Sequence, residues 1–567
     1  MDLHLVRYWL DSCMGSGDEI RHTDCKPQST AMGVPSLLIE IASKSIITAS
    51  PQSKYAALSY VWGSADIPQL HHKDLVRGDH GWSLQDVWER VPQTIKDAIL
   101  LCEMLSLPFL WVDALCIDEF LRDSFSNGST ELAEQMSVIY GGAQLTIVAA
   151  AGDNSWAGLA GVRNGSRSVL QKSVQVEGMT LASVQPSPRD AMRASTWNRR
   201  AWTFQEGFLS NRLLIFTENQ ILWNCNSAQF CEDICWEDEP GDVDQSWDNR
   251  ASSREFLAVK RDLYTVSFPE YDFFRTYTTL VKDYTARKLT YQQDALDAFG
   301  GVVASLRATL ETTFFYGIPI RFFEQCLLFD TGCFMPEARR MCFPTWSWVE
   351  WNQQILELES IRFTNWHGTR RNMEWSLEDF KTLVNWYRFD DHQDEGGHKF
   401  RLIEGIARYG TTERTEPALV RFCHLPESLN PSHVLLFEAS TARLRVHSTS
   451  FNESHPSLSK RFTVHLTGSP ASENSYATSI GSLMLDPKWR KDNSQLVEFE
   501  FVAIAKETRE VIELRFDDAR EDETKEIMHT LMITTDSRGI SQRLQVFSLD
   551  EADWIKAEPQ QRTVYLI

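Results

Sequence analysis

Basic residues are in short supply in this chain of 567 residues: 56 Lys and Arg face 78 Asp and Glu, a formal net charge of -22. A nonspecific nucleic-acid binder needs a positive surface to displace counterions, so that class is disfavoured. Histidine is scarce where a nucleophilic triad would need it. Between residues 40 and 240 only His71, His72 and His80 occur, with no GxSxG elbow and no catalytic-cysteine signature. Triad hydrolases are therefore disfavoured. The chain also lacks a P-loop and a GxGxxG after a strand, which argues against NTPases and dinucleotide dehydrogenases. The most apolar segment, residues 98–117, holds Glu103, Pro108 and Asp113, residues that a membrane span tolerates poorly. The opening MDLHLVRYWLDSCMGSGDE has no basic flank followed by an apolar run, so no secretory leader is expected. Paired CxxC motifs are missing as well. Cys225, Cys231 and Cys235 do not have zinc-site spacing and have no paired histidines nearby, so no metal is expected. The eleven cysteines read as buried thiols in a reducing compartment, and the protein as soluble and cytoplasmic. No internal repeat or long low-complexity tract stands out.

What is present is ordinary globular composition, 43% hydrophobic and 24% charged, in a chain too long for one core. Residues 1–35 read as a loose lead-in. Residues 37–48 (LLIEIASKSIIT) alternate as one strand, and KYAALSYVWG (54–63) is a β-rich run ended by glycine. VPQTIKDAILLCEMLSL (91–107) places Ile95, Ala98, Ile99, Cys102 and Leu105 on one helical face, with Pro92 near the first turn. FLWVDALCID (109–118) is a buried strand running into a polar loop; 131–140 is helical; AQLTIVAAA (143–151) is apolar on both faces, as a central parallel strand is. This alternation predicts an α/β fold with a parallel sheet and flanking helices over 36–230.

ILWNC (221–225) predicts another strand, and the acidic 231–244 a solvated loop rather than a cation site. The region 231–399 is read as mainly helix and loop. Within it 273–306 is helical, with Thr290 and Asp294 as candidate caps, TWSWVEW (345–351) is an aromatic strand, and 374–395 is polar and poorly periodic. Short alternating runs from 400 to 567 predict a β-rich, mostly antiparallel C-terminal domain.

The chain is organised around STWNRRAWTFQEGFLSNRLLIF (195–216), where Glu206 lies one helical turn from Trp202 and near Arg200. A carboxylate between indole and guanidinium suits an ion pair bracing a core, or a catalytic acid in a cleft. In open α/β sheets ligands bind beyond the carboxyl ends of strands. Ser59, Tyr60, Asp113 and Asp118 fall at such ends, as do Arg200 and Glu206. Asp113 is equally read as a turn cap, and Trp62, Trp111, Trp197 and Trp202 as core or wall residues.

Four blocks, YAALSYVWG, TIKDAILLCEMLSLPFLWVDALCID, MSVIYGGAQLTIVAA and RRAWTFQEGFLSNRLLIF, together resemble the fungal heterokaryon-incompatibility (HET) domain. The likeness covers about residues 54–225 and extends through KDYTARKLTYQQDALDAFGG and FPTWSWVEW. It implies a role in non-self recognition and regulated cell death. The order of elements further resembles the Toll/interleukin-1 receptor (TIR) fold, a flavodoxin-like arrangement. There Trp202 and Glu206 match the Trp and Glu of the helix that carries the catalytic glutamate. The resemblance implies cleavage of the nicotinamide–ribose bond of NAD as substrate, with no cofactor. Glu206 would be the catalytic carboxylate, with Ser59, Tyr60, Trp62, Gly63, Asp113, Arg200 and Trp202 binding substrate. The implied partners are further copies of the domain and an allelic or receptor-type protein. Two alternatives stand beside it: a non-enzymatic self-associating module, in which Arg200–Glu206 is a brace, and a pathway-specific enzyme on the same scaffold.

Overall fold

The computed structural model describes residues 1–15, 25, 34–78, 81–117, 130–168, 171–183, 185–226, 228–232, 270–330, 338–352, 355, 380–394, 397–406, 421–422, 429–448, 461–467, 479–485, 497–514 and 520–567. Most of the acidic stretch 231–244, together with Asp118 and Cys235, lies outside them. The chain divides into two compact units, one of residues 1–268 with 287–309, the other of residues 269–286 with 310–567. No helix among the described residues is long and apolar enough to cross a membrane.

The first unit begins with a helix, Leu3–Met14, capped by the Asp2 carboxylate on the His4 and Leu5 amides. It buries Val6, Trp9, Leu10 and Cys13, so the lead-in has structure that its small and polar residues concealed. The strands of this unit are β1 (Leu37–Glu40), β2 (Ser45–Thr48), β3 (Tyr55–Ser59), β4 (Arg77–Gly78), β5 (Gly81–Ser83), β6 (Phe109–Trp111), β7 (Leu145–Ala149), β8 (Ser173–Val176), β9 (Met179–Ala182), β10 (Arg212–Phe216), β11 (Ile221–Cys225) and β12 (Gln229–Cys231). All except β8 and β9 form one ten-stranded sheet in the order β12-β11-β10-β7-β3-β6-β1-β2-β5-β4.

The expected parallel sheet is present only at the centre. Strands β10, β7, β3 and β6 run parallel, while both flanks pair antiparallel, which makes the sheet mixed. Part of the reason lies in residues 37–48, which are a hairpin and not one strand. Lys44 takes a left-handed backbone (φ 54) and its amide bonds back to the Glu40 carbonyl at 2.9 Å. Strands β3 and β7 are buried at every position, as expected of strands covered on both faces. The helix Gln93–Leu105 leads from β3 to β6 on one side, and Thr130–Gly142 leads from β6 to β7 on the other side of β3. Connections thus leave the two sides of β3 in opposite directions, and its carboxyl end lies at a topological switch point.

The second unit is dominated by strands. Its helical content is modest among the described residues: Glu270–Thr285, Phe323–Leu327, Glu551–Lys556 and short 3-10 turns. TWSWVEW is not a strand. Trp348–Glu350 forms a 3-10 turn capped by the Ser347 hydroxyl, and Trp346, Trp348 and Trp351 are all buried. On a strand Trp346 and Trp348 would share one face and Trp351 would take the other, whereas all three are buried around this turn. Strands Phe380–Thr382 and Tyr387–Asp394, from the stretch read as poorly periodic, join the large sheet. That sheet is antiparallel apart from a short parallel pairing of Ile540–Ser541 with Tyr565–Leu566. The strand Leu435–Ser448 pairs with Gln560–Leu566 along its first half and with Val497–Leu514 along its second, which closes a ring of strands.

Candidate active site

The helix Trp202–Leu209 is short and has no side-chain cap at its first turn. It is held from outside instead. Thr203 donates to the Arg200 carbonyl at 2.9 Å, and Gln205, fully buried, accepts the Gly301 amide at 3.0 Å. Ser210 closes the other end by donating to the Glu206 carbonyl at 2.6 Å. Phe204 stacks on Phe299, whose helix Asp297–Leu310 lies almost wholly in the same unit. These anchors direct Glu206 at the end of β3.

Ser59, the last residue of β3, is completely buried and donates its hydroxyl to Glu206 Oε2. The indole N–H of Trp197, equally buried, donates to Ser59 Oγ at 2.6 Å. An indole nitrogen can only donate, so Ser59 must accept from it and turn its own proton toward Glu206. The relay Trp197–Ser59–Glu206 thus has one direction. Glu206 remains partly exposed. The Tyr140 hydroxyl is a second hydrogen-bonding neighbour of the same carboxyl.

Two tyrosines and a second acid complete the surroundings. Burial pushes the Glu206 carboxyl up to about 7, with the negative charge of Asp113 adding to the rise; Ser59, Arg200 and Tyr140 act in the opposite direction. Burial likewise raises the hydroxyls of Tyr60 and Tyr140 well above their ordinary value, and the charges of Asp113 and Glu206 reinforce it. The Tyr60 hydroxyl is buried beside Asp113, the acceptor nearest to hand, though it meets no acceptor at good geometry among the described residues. Asp113 follows β6, accepts the Trp62 indole N–H at 2.9 Å and accepts the Ala114 amide at 2.7 Å. Asp113 is thus a neighbour of the cluster that also bonds the next amide, while the helical turn it opens has no side-chain cap.

Arg200 does not brace Glu206. Its guanidinium donates to the Tyr60 carbonyl at 3.2 Å, and its positive charge acts on Glu206 and Tyr60 without a direct ion pair. Trp62 is half-buried, its ring 5.4 Å from that of His71. Gly63 is exposed with φ +99, and an added Cβ would meet Asn154 Cβ at 2.6 Å, so this turn requires glycine. Trp202 stands apart: its indole N–H serves Asp294, whose carboxyl is otherwise pushed up by burial.

The structure therefore brings Ser59, Tyr60, Asp113, Arg200 and Glu206 together, with Trp62 and Gly63 on the loop beyond β3. Sequence reasoning missed Tyr140 and the role of Trp197. Trp197 was visible as a core or wall tryptophan, but nothing in its spacing pointed at a strand 138 positions away. Chemically, the cluster offers one accessible carboxylate in a partly desolvated, hydroxyl-rich setting at a sheet's carboxyl edge.

No curated protein and no solved structure matches the chain. Residues 55–206, running from the first residue of β3 to Glu206 itself, match the family described as "Heterokaryon incompatibility protein (HET)". With the four sequence blocks laid out along β3, β6, β7 and the helix that carries Glu206, this chain is identified as one carrying a heterokaryon-incompatibility (HET) domain.

Proposed function

We propose that the HET domain cleaves the nicotinamide–ribose bond of NAD in the cytoplasm, serving non-self recognition and regulated cell death, with Glu206 as the catalytic carboxylate. The observation that carries this reading is the partly exposed Glu206 held by Ser59 at the carboxyl end of β3. Nicotinamide leaves with the bonding electron pair and needs no general acid. A negative charge beside the ribose stabilises the oxocarbenium-like transition state, and water then adds to the anomeric carbon and releases a proton. The products are nicotinamide, ADP-ribose and that proton. A pKa near 7 leaves a large share of Glu206 ionised at neutral pH, and a cationic nicotinamide ring in the site would raise that share.

In this reading Tyr60 and Trp62 line the nucleotide cleft, Gly63 and Asp113 complete the binding surface, Ser59 holds Glu206 from behind, and Arg200 contacts phosphate, while Trp202 braces the helix through Asp294. The parallel neighbours β6, β3 and β7 support the TIR-like reading of this half, with the antiparallel flanks as additions to it. The test is nicotinamide release from NAD by the purified full chain and by Glu206→Gln, at several protein concentrations. Release by wild type and its loss in the variant support the reading. An inactive wild type at every concentration, or a fully active variant, removes it.

One observation favours the alternative of a self-associating module. Strands β8 and β9 form a separate hairpin on which Val174, Val176, Met179 and Leu181 are all exposed, 42% to 60%. Isolated hairpins are marginal in water. Concentration-dependent association that Val174→Asp with Leu181→Asp abolishes, in a protein inactive on NAD, would favour this second reading.

A further inference from the structure

Three cysteines far apart in sequence meet at one buried point of the first unit. Cys13 comes from the N-terminal helix, Cys25 from the segment after it, and Cys225 from the last position of β11. Their sulfur atoms all lie within 4.8 Å of one another, and the residues are 1%, 0% and 8% exposed. None of the three is part of a disulfide. Sulfurs about 2.3 Å from a tetrahedral zinc stand about 3.8 Å apart, so a small contraction brings this triangle to coordinating geometry.

A second observation comes from Arg212, the first residue of β10 and the cross-strand partner of Cys225. Its side chain is buried, 3% exposed. The guanidinium donates through Nε to Cys13 Sγ at 3.0 Å and through Nη1 to the Gln144 carbonyl at 3.2 Å. Among the described residues no carboxylate forms an ion pair with it. A buried guanidinium favours an anionic counterpart, and among the described residues the ionisable group it bonds is the Cys13 thiol. Three thiolates with one guanidinium leave two negative charges uncompensated, which a divalent cation neutralises. A cluster of plain apolar thiols accounts for the burial but not for the aimed Nε–H or the unbalanced arginine.

The geometry points to a three-thiolate site for a soft divalent metal ion, of the zinc class, formed by Cys13, Cys25 and Cys225 beside Arg212. Thiolate donors select soft metals over magnesium or calcium. Three protein donors leave the fourth tetrahedral position to a small ligand such as water. The site ties the N-terminal helix to the β10–β11 edge, independently of the chemistry at Glu206.

The test uses the reduced, chelator-stripped full chain, titrated with Zn2+ against a chromogenic chelator, with Co2+ as a spectroscopic probe. The expected result is one equivalent bound, a sulfur-to-cobalt charge-transfer band, and a rise in the unfolding temperature on adding Zn2+. Cys13→Ser and Cys225→Ser should weaken binding by about 100-fold, whereas Cys342→Ser, an exposed cysteine of the other unit, should bind as wild type does. Should the two cluster variants fail to fold, wild type alone decides. No bound equivalent and an unchanged unfolding temperature overturn the site. So does a Cys13–Cys225 disulfide in freshly purified protein, or undiminished binding in both folded variants.

Discussion

Two glutamates, one in each unit, receive the same kinds of donor and end in opposite conditions. Glu324, in the second unit, is fully buried; Trp386 donates its indole N–H to Oε1 at 2.7 Å and Thr382 donates its hydroxyl to Oε2. Both oxygens are engaged and the group is sealed. At Glu206 the indole and the hydroxyl are wired in series, so Trp197 reaches the carboxylate only through Ser59. Ser59 holds one oxygen, and the group stays partly exposed where Glu324 is sealed. Two parallel donors make a structural post, whereas two donors in series fix a carboxylate and still leave it available. Having a buried tryptophan and a hydroxyl near an acid does not distinguish the two; the order of the bonds does.

The sharpest way to break this comparison is to truncate the post. Glu324→Ala strands the Trp386 and Thr382 donors in a sealed core and should cost about 3–5 kcal/mol. Urea unfolding followed by circular dichroism should show a clearly lower midpoint, and an unchanged one would mean that Glu324 is not the post described. Glu206→Gln should do the reverse, leaving the fold intact while NAD cleavage drops by about 100-fold or more, measured as nicotinamide release.

A finer test concerns Ser59. Its hydrogen bond lowers the Glu206 pKa, so Ser59→Ala should move the midpoint of the pH–rate profile upward from about 7. A downward shift would show that the serine does not donate to the carboxylate. The smallest effect is in stability. Glu206 titrates at about 7 when folded and near its ordinary value of about 4.3 when unfolded. The folded state holds the extra proton between those values, so stability falls as pH rises from about 4 to about 7. Glu206→Gln removes that dependence. The unfolding temperature of the variant should therefore gain on wild type from pH 5 to pH 8, and a constant difference would place the titration elsewhere.

Much of the central sheet was legible because its strands are buried on both faces and read as unbroken apolar runs; YAALS and LTIVA needed no tertiary information. The helix Gln93–Leu105 was legible too, its buried residues including the five singled out by spacing. The flanks were not. A four-residue turn inside LLIEIASKSIIT leaves the alternation nearly intact while reversing the chain, so one strand and a hairpin look alike. TWSWVEW misled for a related reason, since aromatic density signals burial but not the backbone that achieves it. At the site, Glu206, Ser59 and Asp113 could be nominated from strand ends. The expected Arg200–Glu206 pair does not form, because a separation of six along the chain says nothing about where a long guanidinium turns.

The chain's order of residues by itself determined the parallel core and the placement of polar side chains at its carboxyl edge, both of which follow from local periodicity. Only the folded molecule decided which donor meets which acceptor: that Trp197 bonds Ser59, that Arg200 turns to the Tyr60 carbonyl, and that Cys13, Cys25 and Cys225 converge on Arg212. Hydrogen bonds and ion contacts act over about 3 Å between atoms brought together by long-range packing, and no periodicity along the chain encodes that distance.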